Sequence, residues 1–422
     1  MQGGHLLAQL KQKMANTESR NVLVYLASDL LAKGIPFLLI PFYTLYLSPA
    51  QFGNIAVFNV IVEILIIFVV MGGNTYFRVQ YFKHDDHSSL LGSLIVNVLL
   101  AIPIAALLTF LAYYFDLNPA QHDGGWLALA VCIAISQSLI LIALALFQCQ
   151  GKAGYVGGLN LLSAAISGGV TLLLLTVGYS EESRYVAYGI ASLVVLIFSI
   201  LAFRKSQQFL PALSLKYVRD GLNFGFGVLP HALSWWARSG LDRIIITLYV
   251  SAHATGLYAV AAQLSLVIIV LSNAVNQAFT PKIMKMLAEQ QLAKAFLLCF
   301  KITLGYLMIC GVIASFSPLI FDWFIDAKFD QAQALLPMMC AVAFFQAVVT
   351  LCSNFLYFYK KVALLSAITF LTSLLHVAIS FYVVEPFGVN GIIWSSIATY
   401  SLSSVVIIAI CSVLIKRKQC TE

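Results

Sequence analysis

Apolar runs of about 20 residues recur along the whole of this chain, and each is long enough to cross a hydrocarbon core of ~30 Å as a helix. Of the 422 residues, 61% are hydrophobic and 10% are charged, where an average soluble domain is about 25% charged. So little polar surface cannot cover a water-soluble globule. The sequence therefore predicts an all-α polytopic membrane protein.

Twelve transmembrane spans are expected, at roughly 22–47, 55–76, 90–115, 126–148, 156–178, 185–203, 225–249, 257–279, 297–317, 335–358, 362–384 and 390–415. An even number places both termini on one side of the membrane. Segments on that side hold eighteen Lys and Arg residues, Lys11, Arg20, Lys152, Arg204, Lys282 and Lys416 among them, whereas the opposite loops hold Arg184 and Lys328. Cytoplasmic loops collect positive charge, so both termini are predicted to be cytoplasmic. Met1 to Arg20 is polar and lacks the short apolar core and small-residue cleavage site of a signal peptide, which leaves insertion to the first helix. The longest cytoplasmic connection, Arg204 to Phe224, carries Pro211 and lies at the midpoint. It divides the chain into 1–210 and 211–422.

The two halves echo each other. Thr247-Leu248-Tyr249-Val250-Ser251, then Gly256 and Ala259-Val260, repeat Thr44-Leu45-Tyr46-Leu47-Ser48, Gly53 and Ala56-Val57 at a constant offset of 203 residues. Seven of the fourteen aligned positions are identical, where about one is expected by chance. Six spans separate the echoes, so both halves insert in the same orientation. That predicts two six-helix bundles related by a pseudo-two-fold axis near the membrane normal, with a substrate site between the halves.

Seven ionisable residues break the apolar rule in or beside the first two helices of each half: Asp29, Lys33, Glu63, Arg78, Arg238, Asp242 and Arg243. Each costs roughly 2.5 to 3.5 kcal/mol at mid-helix, so lipid is the wrong surroundings for them, and intramembrane charges are functional by default. His231, Trp235, Arg238 and Asp242 are separated by steps of four, three and four, one helical face. Asp29, Lys33 and Pro36 follow the same pattern on the first helix, while Arg243 lies about 100° off the stripe. Blander readings stand beside these. Asp29 with Lys33, and Arg238 with Asp242, are i,i+4 pairs that could neutralise each other and only staple helices. Arg78 could be an ordinary positive-inside residue, His231 a satisfied core histidine and Trp235 a packing residue.

The net charge of +7 comes with no basic run interleaved with aromatics and no soluble domain to hold one, so nucleic acid is not an expected partner. The chain has neither a P-loop nor a His-Glu-x-x-His. His84-Asp85-Asp86-His87 reads as a solvated loop before it reads as a metal site, and the eight cysteines, with no Cys-x-x-Cys pair, read as small buried hydrophobes. No catalytic residue, cofactor or metal is expected. Short outer loops also disfavour a membrane polymerase or glycosyltransferase.

The early helix Asn21 to Leu47 followed by Ser48-Pro49-Ala50-Gln51-Phe52-Gly53, and Leu241-Asp242-Arg243 leading to Gly256-Leu257-Tyr258, resemble the polysaccharide transporter family of Wzx-type O-antigen flippases. That family sits in the superfamily that also contains multidrug and toxin extrusion transporters, and the resemblance covers nearly the entire chain. It implies a V-shaped cavity between two bundles in the bacterial inner membrane. It also implies movement of an undecaprenyl-pyrophosphate-linked oligosaccharide from the inner to the outer leaflet by alternating access. Coupling to H⁺ or Na⁺ goes with this, as do a polysaccharide polymerase and a chain-length regulator as partners. The substrate-binding candidates are then Lys33, Arg78, Trp235, Arg238 and Arg243, because fixed cations attract phosphate oxygens and Arg can bind them in a fork. Asp29, Glu63, His231 and Asp242 are candidates for ion coupling or for pairing with those cations. The alternative is a cation-coupled multidrug exporter of the same architecture, which the cationic stripe opposes.

Overall fold

A computed structural model describes residues 28, 30–32, 34–115, 123–206 and 210–419, with side chains described as far as 412. Asp29 and Lys33 lie outside the described residues. Helices follow one another as α1 (Ile40–Tyr46), α2 (Pro49–Val70), α3 (Gly73–Tyr81), α4 (His87–Tyr114), α5 (Gly124–Cys149), α6 (Ala153–Val177) and α7 (Glu182–Ser206). After the midpoint come α8 (Leu215–Ser239), α9 (Leu241–Tyr249), α10 (Ala252–Ala288), α11 (Leu292–Ser315), α12 (Ser317–Phe324), a 3₁₀ segment (Ala327–Leu335), α13 (Leu336–Phe358) and α14 (Val362–Gln419). No strand occurs among the described residues.

Nine of these elements are long and apolar enough to cross a membrane among the described residues. Three features reconcile that number with twelve spans. α14 runs for 58 residues, but Gly388 inside it has φ 56° and ψ −138°, a conformation open to glycine and not to side-chain-bearing residues, so it is two helices joined at a kink. Helices α8 and α9 follow one another across Gly240 and together make the expected seventh span. The apolar stretch Leu30–Tyr46 supplies the first. The protein is an all-α, multi-span membrane protein of about twelve spans.

The helix starts are written locally. Ser48 opens α2 with a reciprocal cap: its Oγ accepts from the Gln51 backbone N–H at 3.3 Å, and its own N–H donates to Gln51 Oε1 at 2.8 Å, with Pro49 at the first helical position. Ser251, the echo of Ser48, opens α10 by accepting from the Ala254 N–H at 3.1 Å. The loop His84–His87 ends in another cap, in which Asp86 accepts from Ser89 N–H at 3.0 Å and this backbone bond holds its carboxyl below the usual range. His87 stacks on Tyr81 with ring centroids 4.0 Å apart.

The chain divides into two compact units. The first comprises Met1–Leu39 and Ile61–Pro230, the second Ile40–Val60 and His231–Glu422. Relative to the halves 1–210 and 211–422, segments 40–60 and 211–230 are exchanged, and α2 and α8 each pass from one unit to the other within a single helix.

In the first unit, α5, α6 and α7 pack around Ile140, Phe147, Val156, Leu159 and Val195. The start of α8 is tied to α4 through Ser93 Oγ donating to Ser214 O at 3.0 Å and Asn97 Nδ2 donating to Val218 O at 3.2 Å. An apolar, open cleft lined by Leu91, Ile142, Leu146, Leu196 and Phe203 carries Arg204 on its wall.

In the second unit, α10, α11, α13 and α14 enclose a core that includes Ile283, Leu287, Cys299, Leu351, Phe355 and Ile407. The start of α2 crosses the start of α10 backbone to backbone. A Cβ on Gly53 would lie 2.0 Å from the Ala252 carbonyl oxygen, and one on Gly256 would lie 1.8 Å from the Pro49 carbonyl oxygen. Gly53 and Gly256, and Pro49 and Ala252, are equivalent under the offset of 203. The echo in the sequence is thus a reciprocal contact in space.

Candidate functional site

The polar stripe expected on the seventh span grades sharply in burial. His231 is exposed and Trp235 is 46% exposed, whereas Arg238 is 7% and Asp242 1% exposed. Gly240, with φ −113° and ψ −39°, ends α8 and lets the chain restart as α9, so Arg238 and Asp242 stand on two successive helices. Trp236 anchors the junction by donating its Nε1–H to the Val60 carbonyl at 3.1 Å.

Both charges go to α14 rather than to each other. The Arg238 guanidinium reaches Thr372 Oγ1 at 3.3 Å and Ser403 Oγ at 3.4 Å, and its Cζ lies 3.8 Å above the centre of the Tyr400 ring. Asp242 Oδ1 accepts from His376 Nε2 at 2.8 Å, and Oδ2 accepts from Tyr258 OH at 2.8 Å and from Ser396 Oγ at 3.4 Å. His376 is fully buried, and its Nδ1 faces Ser395 Oγ at 3.0 Å. The local pairing of Arg238 with Asp242 is therefore replaced by two long-range assemblies, because the break at Gly240 interrupts the helical i,i+4 geometry that such a pair needs.

Arg238 is left electrostatically unusual. Among the described residues it forms no ion pair with a carboxylate, and its Nε is buried without a hydrogen-bond partner. The side chain forms part of the wall of a small, partly open pocket, together with Ser234, Trp235, Gln346, Thr350 and Tyr400. A desolvated guanidinium held, among the described residues, by two hydroxyls and a π face, with no carboxylate hydrogen-bonded to it, retains attraction for an anion.

The remaining candidates enter none of these hydrogen bonds among the described residues. Arg243 is partly buried and turns its Nη1 to the Ser239 carbonyl at 2.9 Å. Glu63, on α2, and Arg78, on α3, belong to the first unit, and both are exposed. The partners that sequence reasoning did not single out are Tyr258, Thr372, His376, Ser395, Ser396, Tyr400 and Ser403. A signal for them exists: Thr372, His376 and Ser380 step by four, and Ser396, Thr399 and Ser403 by three and four, which puts each set on one helical face.

Tyr258 is the simplest member to test. Tyr258→Phe removes one of three donors to a buried carboxylate and should destabilise the purified protein by about 1 to 3 kcal/mol, seen as a lower thermal midpoint in detergent. An unchanged midpoint would mean that the hydroxyl contributes nothing to holding Asp242.

The sequence profile of the polysaccharide biosynthesis protein family matches residues 19–287. The chain belongs to that family. The second unit's cluster straddles the profile: Arg238, Asp242 and Tyr258 fall inside the matched region, and His376, Ser395 and Tyr400 beyond it. A similar protein is the Lsg locus putative protein 1 of Haemophilus influenzae, 27% identical over 377 residues, which are 85% of this chain and 89% of that one. In fold the family member is similar to the lipid II flippase MurJ in an inward closed conformation, with a TM-score of 0.70 at 14% identity over 93% of this chain and 87% of that one. It is also similar to an inward-facing multidrug resistance MATE family transporter of the MOP superfamily, with a TM-score of 0.68 at 14% identity over 91% and 96% of the two chains. The family is that of polysaccharide biosynthesis proteins, and the fold is the one shared with these two structures.

Proposed function

We propose that the chain is a flippase that carries an undecaprenyl-pyrophosphate-linked oligosaccharide from the inner to the outer leaflet of the bacterial inner membrane by alternating access. The observation that carries this reading is Arg238, a buried guanidinium beside a pocket with no carboxylate paired to it. A pyrophosphate diester supplies the missing negative charge, and its bridging and terminal oxygens match the guanidinium fork. Trp235 on the same pocket wall offers an apolar face to a sugar ring. Membership of the polysaccharide biosynthesis family and a fold shared with a lipid II flippase support the same substrate class.

On this reading Lys33, Arg78 and Arg243 are further cations along the substrate's path. Asp29, Glu63, His231 and Asp242 serve ion coupling, by H⁺ or Na⁺, or hold the cations in place. Both termini are cytoplasmic and the halves 1–210 and 211–422 move as repeats. A multidrug exporter would have to draw organic cations past Arg238, which repels them.

The test is a flipping assay in reconstituted vesicles with a short-chain polyprenyl-pyrophosphate oligosaccharide, read by its accessibility to an added glycosidase. The expected result is protein-dependent exposure of the glycan. Resistance of cells to organic cations, with no glycan movement in the vesicles, would overturn the proposal.

A further inference from the structure

Asp242 accepts from Tyr258 and Ser396, the pattern of an ionised carboxylate, and this constrains the ring beside it. An ionised carboxylate only accepts, so His376 Nε2, 2.8 Å from Asp242 Oδ1, carries a hydrogen. That leaves Nδ1 as the nitrogen with a free lone pair. Its neighbour, Ser395 Oγ, lies 3.0 Å from Nδ1 and 3.2 Å from the carbonyl oxygen of His376 itself. Ser380 Oγ reaches the same Ser395 oxygen at 3.3 Å.

One hydroxyl hydrogen thus has two acceptors within reach. With Nδ1 bare, the Ser395 hydroxyl donates to Nδ1 and the imidazole is neutral. With Nδ1 protonated, Nδ1–H donates to Ser395 Oγ, and the hydroxyl turns to the His376 carbonyl. Ser380 donates to Ser395 in either state. No heavy atom has to move, and no buried donor or acceptor loses its partner. We infer that His376 is a proton-binding site built into the second unit, and that the proton it takes strengthens anion binding at Arg238.

The linkage follows from charge. The carboxylate on the ring is Asp242 of α9; the other charged and titratable groups of the cluster are its neighbour Arg243, Tyr258 of α10 on the same carboxylate, and Arg238 of α8 stacked on Tyr400 of α14. With His376 neutral, the two buried charges, Arg238 and Asp242, balance, while Arg243 is only partly buried and turns to the Ser239 carbonyl. A proton on Nδ1 forms an N–H bond, leaves the imidazolium facing Asp242 and gives the buried cluster a net positive charge. An anion in the pocket beside Arg238 then restores balance, so proton and anion each favour the other. A sodium ion has no such place. Both Asp242 oxygens already face N–H or O–H donors, and neither Asp242 nor His376 lines the pocket at Arg238. The linkage rests on the reading of that pocket as a phosphate site; the proton site does not.

Two measurements on the purified full-length protein separate these points. Difference infrared spectra between about pH 5.5 and 8, the range in which imidazole charges, should show an imidazole-to-imidazolium change that His376→Gln removes. Ser395→Ala, which takes away the acceptor of Nδ1–H, should move that change to lower pH. If the wild-type spectrum contains no change removed by His376→Gln, or if Ser395→Ala leaves the midpoint in place, the proton site is wrong. The second measurement is binding of P1,P2-dimethyl pyrophosphate, whose charge is constant over this range, followed by quenching of Trp fluorescence. Its Kd should fall about tenfold from pH 8 to pH 5.5 and stay flat in His376→Gln. A pH-independent Kd in the wild type overturns the linkage. Absence of binding at both pH values, with the infrared change intact, overturns the phosphate reading and the linkage with it, but not the proton site.

Discussion

Replacing Gly256 by alanine should remove most of the folded protein from the membrane. The new Cβ would lie 1.8 Å from the Pro49 carbonyl oxygen, and an atom of the main chain cannot swing aside as a side chain can. The starts of α2 and α10 must separate instead, which strips the packing of Phe52 against Phe329 and the tie of Trp236 to Val60. Overpacking that moves backbone costs about 1 to 3 kcal/mol or more. Gly53→Ala meets the Ala252 carbonyl at 2.0 Å and should behave alike. A single separation relieves both clashes, so the double variant should lose clearly less than the sum of the two single losses. Thermal midpoints of the three variants in detergent, with yield of monodisperse protein, read this out. Additive losses would show that the two contacts are independent and that the crossing is not one reciprocal joint.

Arg238→Met should separate stability from function. Methionine fills a similar volume and removes a buried guanidinium that has no carboxylate hydrogen-bonded to it among the described residues, so the desolvation cost of that charge disappears with it. The thermal midpoint should hold or rise. Glycan flipping in vesicles should fall by about a hundredfold or more, the loss of a charge-assisted contact to phosphate worth about 3 kcal/mol. Arg238→Lys should not restore it, because an ammonium cannot stack flat on Tyr400 and present a fork at once. A strongly destabilised Arg238→Met that still flips glycan at the wild-type rate would assign Arg238 to structure alone.

The spans were legible because hydropathy records the membrane directly, and the echo at 203 residues marked the place where α2 and α10 cross. Arg238 and Asp242 were legible as a cost: two charges in an apolar run demand an explanation. Their partners were harder to see. His376 lies 134 residues from Asp242, and no local pattern states that distance. The i,i+4 spacing of Arg238 and Asp242 even pointed to the wrong partner, since Gly240, an ordinary glycine in the sequence, interrupts the helix between them. The two helices of α14 carried a usable sign in their Ser and Thr rows, which look like filler in a membrane helix until a buried charge needs donors.

The exchange of segments between the compact units bears on how such a chain can be built at all. A polypeptide ending at 210 lacks the 211–230 stretch of its first unit, and one beginning at 211 lacks 40–60 of its second. Neither half can complete its own packing, so a split at the central loop should give fragments that survive only when made in the same cell.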